Sequence, residues 1–102
     1  MIGKLEELVL LATIKAGPGA MPSTIYEHIV ATTPPGQRVP AFGAVYTTLN
    51  RMADRKMLIL GASRDDRNRE RRTFTVSATG QRALQAGVDH VAALGGFALA
   101  GG

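Results

Sequence analysis

Residues 57–76 have the sequence MLILGASRDDRNRERRTFTV, and the expected fold class depends on them. The first four are apolar, and such a short run fits a β-strand. The last five, RTFTV, alternate in period two, which is typical of a half-buried strand. Residues 64–72 between them contain no apolar side chain. Two strands around a charged loop predict a β-hairpin, with Asn68 near its tip because asparagine tolerates a positive φ.

Helices are predicted on both sides of this hairpin. Apolar side chains at three- and four-residue spacing place them at residues 2–16, 23–31, 41–55 and 78–94. The order of three helices, a strand, a charged loop, a strand and a helix is that of a winged helix-turn-helix domain. We therefore predict a mainly α fold with a two-stranded β-hairpin (α+β). The expected divisions are a winged helix-turn-helix over residues 1–78, a final helix over 79–94 and a flexible tail over 95–102.

Polar side chains near the helix ends predict how the helices begin. Thr24 and Glu27 have the spacing of a capping box for the second helix, although Ser23 could cap it instead. Ser77 is the expected N-cap of the last helix. Gly80 and Gly87 lie inside that helix, and glycine is expected to weaken it at both positions.

Length and composition limit the classes of protein to consider. The chain has 102 residues, enough for one compact domain. It contains no cysteine, which excludes disulfide scaffolds, zinc ribbons and thiol catalysis. No uncharged apolar stretch reaches the ~18 residues of a membrane span. Because Glu6 and Glu7 precede the first apolar run, where a secretory signal carries basic residues, a cytoplasmic location is expected.

Positive charge is concentrated in one third of the chain. Residues 38–72 hold nine basic and four acidic side chains, whereas the rest of the chain holds three basic and four acidic ones. The net charge of +4 therefore comes entirely from this segment. A surface that faces a polyanion is the natural expectation.

The third predicted helix has the residue types of a helix that enters the DNA major groove. Gly43 and Ala44 permit close approach, while Thr47 and Thr48 can bind a phosphate or a base edge. Arg51 can hold a guanine or a phosphate with two hydrogen bonds. The alternative is the solvated face of an ordinary amphipathic helix, which is the more frequent explanation for such a face taken alone.

The charged loop is rich in arginine, whose planar fork suits phosphate. Its arginines are Arg64, Arg67, Arg69, Arg71 and Arg72. The acidic residues Asp65, Asp66 and Glu70 either keep the loop soluble or pair with these arginines. The alternative to nucleic-acid binding is a charged hairpin that only avoids edge pairing.

No arrangement of residues in the chain predicts an enzyme, a metal or a cofactor. His28 and His90 lie on different predicted helices without an acidic cluster at ligand spacing. Asp65 and Asp66 are adjacent, but a solvated basic loop would not raise the pKa of either carboxyl. Gly17-Pro18-Gly19 lacks the lysine and the preceding strand of a phosphate-binding loop.

Three blocks of the sequence resemble PadR-like transcriptional regulators over roughly residues 3–94. GAVYTTLNRM at 43–52, followed by KMLI at 56–59, resembles the family's recognition helix and the turn after it, although the family's usual glycine in that turn is missing. RRTFTVSATG at 71–80 resembles the segment from the family's wing, which corresponds to the β-hairpin predicted here over residues 57–76, to the last helix. LVLLA at 8–12 is similar to the family's first helix.

The resemblance implies a homodimeric repressor that binds double-stranded DNA at a near-palindromic site. The third helix would enter the major groove, Tyr46 at its border would bind a phosphate, and the wing arginines would hold the flanking backbone. The first and last helices would form the dimer through Leu5, Leu8, Leu84, Val88, Val91 and Leu94. Any small-molecule effector would bind at the dimer interface.

A second hypothesis is a winged-helix protein-interaction module without specific DNA binding. The acidic residues of the wing favour it, as do two apolar residues of the tail, Phe97 and Leu99. DNA binding without sequence preference, lost at physiological salt, would support this second hypothesis.

Overall fold

The computed structural model describes residues 2–95 and confirms the predicted order of elements. The elements are α1 (Lys4–Ala16), α2 (Pro22–Thr32), α3 (Phe42–Asp54), β1 (Leu58–Arg64), β2 (Glu70–Val76) and α4 (Ala78–Ala93). The fold is therefore α+β, with four helices and a two-stranded antiparallel hairpin within the described residues. Most of the predicted tail, including Phe97 and Leu99, lies outside residues 2–95. None of the described helices is long and apolar enough to cross a membrane.

The start of α2 differs from the prediction. Met21 is the N-cap and its side chain makes no capping hydrogen bond, so neither Ser23 nor Thr24 caps this helix. Pro22 takes the first helical position instead, where its missing N–H is not needed and its fixed φ suits the helix. The prediction for α4 is confirmed, since the Ser77 side chain accepts a hydrogen bond from the N–H of Gly80 at 3.1 Å.

The hairpin is regular from its base to its tip. Leu58 pairs with Val76 at the base and Arg64 pairs with Glu70 at the far end. Asn68 has a φ of +60° at the tip, as its residue type predicts. On the outer side of β2, Phe74 exchanges two backbone hydrogen bonds with Ala20, at 2.9 and 3.0 Å. These bonds attach the hairpin to the segment between α1 and α2.

The core lies between the first three helices and the base of the hairpin, and α4 adds one side chain to it. Phe74 is its largest fully buried side chain, and its other members are Val9, Leu10, Ala12, Ala20, Ile25, Ile29, Val45, Leu49, Met52, Ala53, Leu58 and Leu84. Phe42, by contrast, is 44% exposed. It is the first residue of α3, beyond the reach of the core, and its ring packs edge-to-face on Tyr26 with the centroids 5.3 Å apart.

The turn between α3 and β1 contains a left-handed residue that is not glycine. Lys56 has a φ of +65°, a conformation that costs an L side chain about 1–2 kcal/mol. Its backbone N–H still donates to the carbonyl of Ala53, and its carbonyl accepts from the Ser77 hydroxyl at 2.6 Å. The turn thus adopts a left-handed backbone at Lys56 without a glycine.

Candidate nucleic-acid interface

One side of α3 is anchored in the core and the other is open. Val45, Leu49 and Met52 are fully buried. Because a helix turns once every 3.6 residues, the side chains between these anchors face outward. The exposed side chains and backbone of this outer face belong to Gly43, Ala44, Tyr46, Thr47 and Arg51. We call this set the open face of α3.

Thr48 does not belong to the open face, contrary to the prediction. It is 6% exposed, and its hydroxyl donates to the carbonyl of Ala44 at 2.8 Å. It lies one turn from Val45 and Met52, on the side that packs against the protein. The amphipathic pattern was wrong at this border position because threonine satisfies its hydroxyl within the helix and buries its methyl.

Aromatic rings line the N-terminal end of α3. Phe42 stacks on Tyr46 with ring centroids 6.2 Å apart and an interplanar angle of 13°. On its other side Phe42 meets Tyr26, whose hydroxyl donates to the carbonyl of Pro40 at 2.9 Å. These contacts hold Tyr46, which is 38% exposed, at the border of the open face.

Asp65 organises the tip of the hairpin. Its Oδ1 accepts the backbone N–H groups of Arg67 and Arg69, each at 2.9 Å. Its Oδ2 accepts from Nε of Arg69 at 3.2 Å and from Nε of Arg71 at 2.8 Å. The backbone bond from Arg69 and the side-chain bond from Arg71 hold the pKa of this carboxyl well below its usual value. Of the two roles left open for the acids, Asp65 therefore takes that of a partner for arginine.

The five wing arginines differ in how far they are engaged. Arg64 donates through Nη1 to the carbonyl of Asn68 at 2.9 Å. Arg72 donates through Nη1 to Oδ1 of Asn50 on α3. Within residues 2–95, the guanidinium of Arg67 has no hydrogen-bond or ion-pair partner. Arg67 is thus the wing arginine whose charge is least compensated by the protein.

Asn50 is a site residue that the sequence did not single out. It is half-buried between the open face of α3 and the wing, and it joins the two through Arg72. The only signal for Asn50 in the sequence was its position next to Arg51 in the predicted third helix. Its partner, however, lies 22 positions further along the chain.

A cleft of about 570 Å³ separates the wing from the two helices that precede it. Its lining comes from α2 and its N-cap, from α3 and from the wing, and consists of Met21, Pro22, Ser23, Phe42, Tyr46, Asp65, Glu70, Arg71 and Arg72. The cleft combines an aromatic wall with arginine side chains. The described residues contain no group of three or more His, Cys, Asp or Glu that could hold a metal ion.

The residues expected at a dimer interface fall into two groups. Leu84 is buried in the core of its own chain, and Leu5 and Leu8 are partly buried against that core. In contrast, three apolar side chains of the last helix and its C-cap are largely exposed: Val88 at 60%, Val91 at 55% and Leu94 at 75%. We call these three residues the α4 stripe.

Comparison with known proteins establishes the fold. No family model and no curated protein sequence matches this chain. A crystal structure of a PadR family transcription regulator from hypervirulent Clostridium difficile R20291 superposes with a TM-score of 0.74 at 13% identity, covering 93% of this chain and 94% of that chain. A proposed transcriptional regulator from Thermoplasma acidophilum gives a TM-score of 0.66 at 23% identity, covering 88% and 79%. The predicted PadR-like winged-helix fold is thereby confirmed.

Proposed function

We propose that the protein is a sequence-specific DNA-binding transcriptional regulator that acts as a homodimeric repressor. The observation that carries this proposal is the contact between Arg72 and Asn50, which joins the arginine-rich wing and α3 in one surface. Winged-helix proteins use such a surface to place a helix in the major groove and the hairpin near the adjacent backbone. The two solved structures with this fold, which carry the names of transcription regulators, support the same function.

The open face of α3 would read the bases. Gly43 and Ala44 allow the helix backbone to approach the groove, and Thr47 and Arg51 supply the hydrogen-bonding groups. Thr48 has no part in this proposal because its hydroxyl is used inside the helix. Tyr46 and the wing arginines would contact phosphates, with Arg67 the most available of them.

In this proposal, residues 1–78 form the DNA-binding domain and residues 79–94 form the helix that packs against the partner copy. The α4 stripe supplies apolar surface that the described chain leaves exposed. Leu5 and Leu8 are only partly buried and keep part of their surface free. Two copies related by a two-fold axis would present their α3 helices to major grooves about 34–36 Å apart, which requires a near-palindromic site. A small-molecule effector would bind between the two copies.

Fluorescence anisotropy with two labelled duplexes of equal length tests the proposal. One duplex comes from upstream of the protein's own gene and the other from coding DNA, and each is titrated at several salt concentrations. We expect tight binding to the upstream duplex alone, persisting at physiological salt. Equal and weak binding to both, with a steep loss on adding salt, would contradict sequence-specific regulation through that site.

The ion pairs of Asp65 favour a second candidate function. Since this carboxylate engages both Arg69 and Arg71, part of the positive charge of the wing is compensated within the protein. The adjoining β1 also exposes two apolar side chains, Ile59 at 57% and Leu60 at 47%. A wing of this kind suits a protein-interaction module. Binding that shows no preference between the two duplexes would favour this candidate.

A further inference from the structure

Arg72 makes the contact between the wing and α3, and this contact depends on which face of β2 carries the Arg72 side chain. Side chains alternate along a strand, so Arg72 points to the same side as Phe74. Phe74 is fully buried in the core, whereas Arg72, two residues nearer the tip, is exposed. Arg72 thus lies where the hairpin leaves the core, and from there it donates to Asn50 on α3.

The amide of Asn50 is used at both ends. Its Nδ2 donates to the carbonyl of Tyr46, one turn back on α3, at 3.0 Å. Because Nδ2 is a donor and Oδ1 an acceptor, this bond directs the acceptor end toward the wing. The guanidinium of Arg72 donates a hydrogen bond to this Oδ1. The wing is therefore connected through Asn50 to the helix turn that carries Tyr46.

We propose that Asn50 is a positioning residue for DNA recognition, which acts by holding Arg72 and thereby sets the orientation of the wing relative to α3. This inference rests on the proposed function. A two-stranded hairpin has little rigidity of its own, so a wing that projects beyond the core needs a second attachment. Without such an attachment, DNA that contacts α3 and the wing together would have to order the wing, and this entropic cost would weaken binding. Asn50 lowers that cost without contacting DNA.

A double-mutant cycle tests this role with Asn50→Ala, Arg72→Gln and the double variant. Each is titrated against the duplex that the wild-type protein prefers and against an unrelated duplex of equal length. Arg82→Gln is the matched control, because Arg82 lies on α4 and, within the described residues, its side chain bonds only to Thr79. All variants are first checked for folding by circular dichroism at the temperature of the titration.

We expect Asn50→Ala to weaken binding to the preferred duplex about tenfold and to leave binding to the unrelated duplex unchanged. In the Arg72→Gln background the same substitution should have little further effect. The slope of log affinity against log salt should stay the same for Asn50→Ala, because no phosphate contact is lost. The Arg82→Gln control should retain the wild-type preference.

Three results would overturn the inference while leaving the proposed function intact. Losses that simply add in the double variant would mean that Asn50 does not act through Arg72. Equal weakening on both duplexes would indicate a general loss of structure. A change in base preference at one position of the site, persisting in the Arg72→Gln background, would mean that Asn50 contacts DNA itself. If the wild-type protein prefers no duplex, the proposed function fails, and this inference fails with it.

Discussion

The carbonyl oxygen of Met57 occupies the space in which a Cβ on Gly80 would lie. The first turn of α4 therefore packs directly on the backbone at the entrance to the hairpin. The same carbonyl accepts the N–H of Ser77 at 3.1 Å, so the start of α4 is attached there by a hydrogen bond as well. Gly80 is required for this packing, although it lies inside a helix where glycine lowers helix propensity.

Two glycine substitutions in α4 should consequently have opposite effects. Gly80→Ala should destabilise the protein by about 1–3 kcal/mol because backbone atoms have to move apart. The Cβ that Gly87→Ala adds would contact only the Glu7 carboxylate, at 3.7 Å. This substitution should stabilise the protein by about 0.5–1 kcal/mol through helix propensity. Urea denaturation measures both free energies of unfolding. Shifts of the same sign would contradict the packing argument.

Relieving the left-handed backbone at Lys56 should stabilise the fold. Lys56→Gly keeps the backbone hydrogen bonds of this turn and removes the steric cost of a φ of +65°. After the entropic cost of glycine is subtracted, we expect a gain of about 0.5–1 kcal/mol and a melting temperature a few degrees higher. Lys56→Ala is the control, since it removes the same side chain but keeps a Cβ. If Lys56→Ala stabilised the protein as much as Lys56→Gly, the gain would come from removal of the lysine side chain and not from the relieved backbone.

The order of the wing tip should depend on pH through Asp65. Its folded-state pKa lies below the usual value of 3.8, so its contribution to stability is complete above that pH and is lost as the pH falls through the lowered pKa. The backbone N–H groups of Arg67 and Arg69 donate to this carboxylate and report on it by NMR. Their signals should stay constant through pH 3.8 and shift only in stronger acid. Asp65→Asn should abolish that titration, and a midpoint near 3.8 in the wild type would contradict the pairing.

Arg51 should contribute to sequence preference. It lies on the open face of α3, and within the described residues its side chain takes part in no ion pair. If it contacts a base, Arg51→Ala should weaken binding to the preferred duplex by about 1–3 kcal/mol and relax preference at one position of the site. Anisotropy titrations against single-base variants of that duplex measure both effects. Unchanged affinity for the best site would remove Arg51 from the recognition surface.

The α4 stripe should form the interface of the proposed homodimer. Val91 is 55% exposed, so Val91→Asp leaves the core of the single chain intact but places a charge where a second copy would pack. We expect dissociation to monomers with unchanged helical content, measured by sedimentation and circular dichroism. Ala86→Asp adds the same charge at an exposed position of α4 outside the stripe and should leave the dimer intact. A wild-type protein that sediments as a monomer at all concentrations would exclude this interface.

Elements with a strong local pattern could be predicted from the sequence. The apolar spacing predicted four helices, the charged segment between two apolar runs predicted the hairpin, and Ser77 and Asn68 were assigned their roles from residue type. These features depend on neighbours within about four residues along the chain. The predictions that failed concern the capping of α2 by Ser23 or Thr24 and the exposure of Thr48. Thr48 was placed on the open face because hydrophobic periodicity does not resolve the edge of a helix face.

The sequence by itself determined the fold class, because hydrophobic periodicity and turn chemistry act locally and agree with each other along the chain. Only the tertiary structure decided two contacts: the hydrogen bond between Arg72 and Asn50 and the packing of Gly80 against Met57. These pairs lie more than 20 positions apart, where local spacing carries no information about contact. Their geometry is set by how the hairpin packs on the core, and no single segment of the sequence encodes that packing.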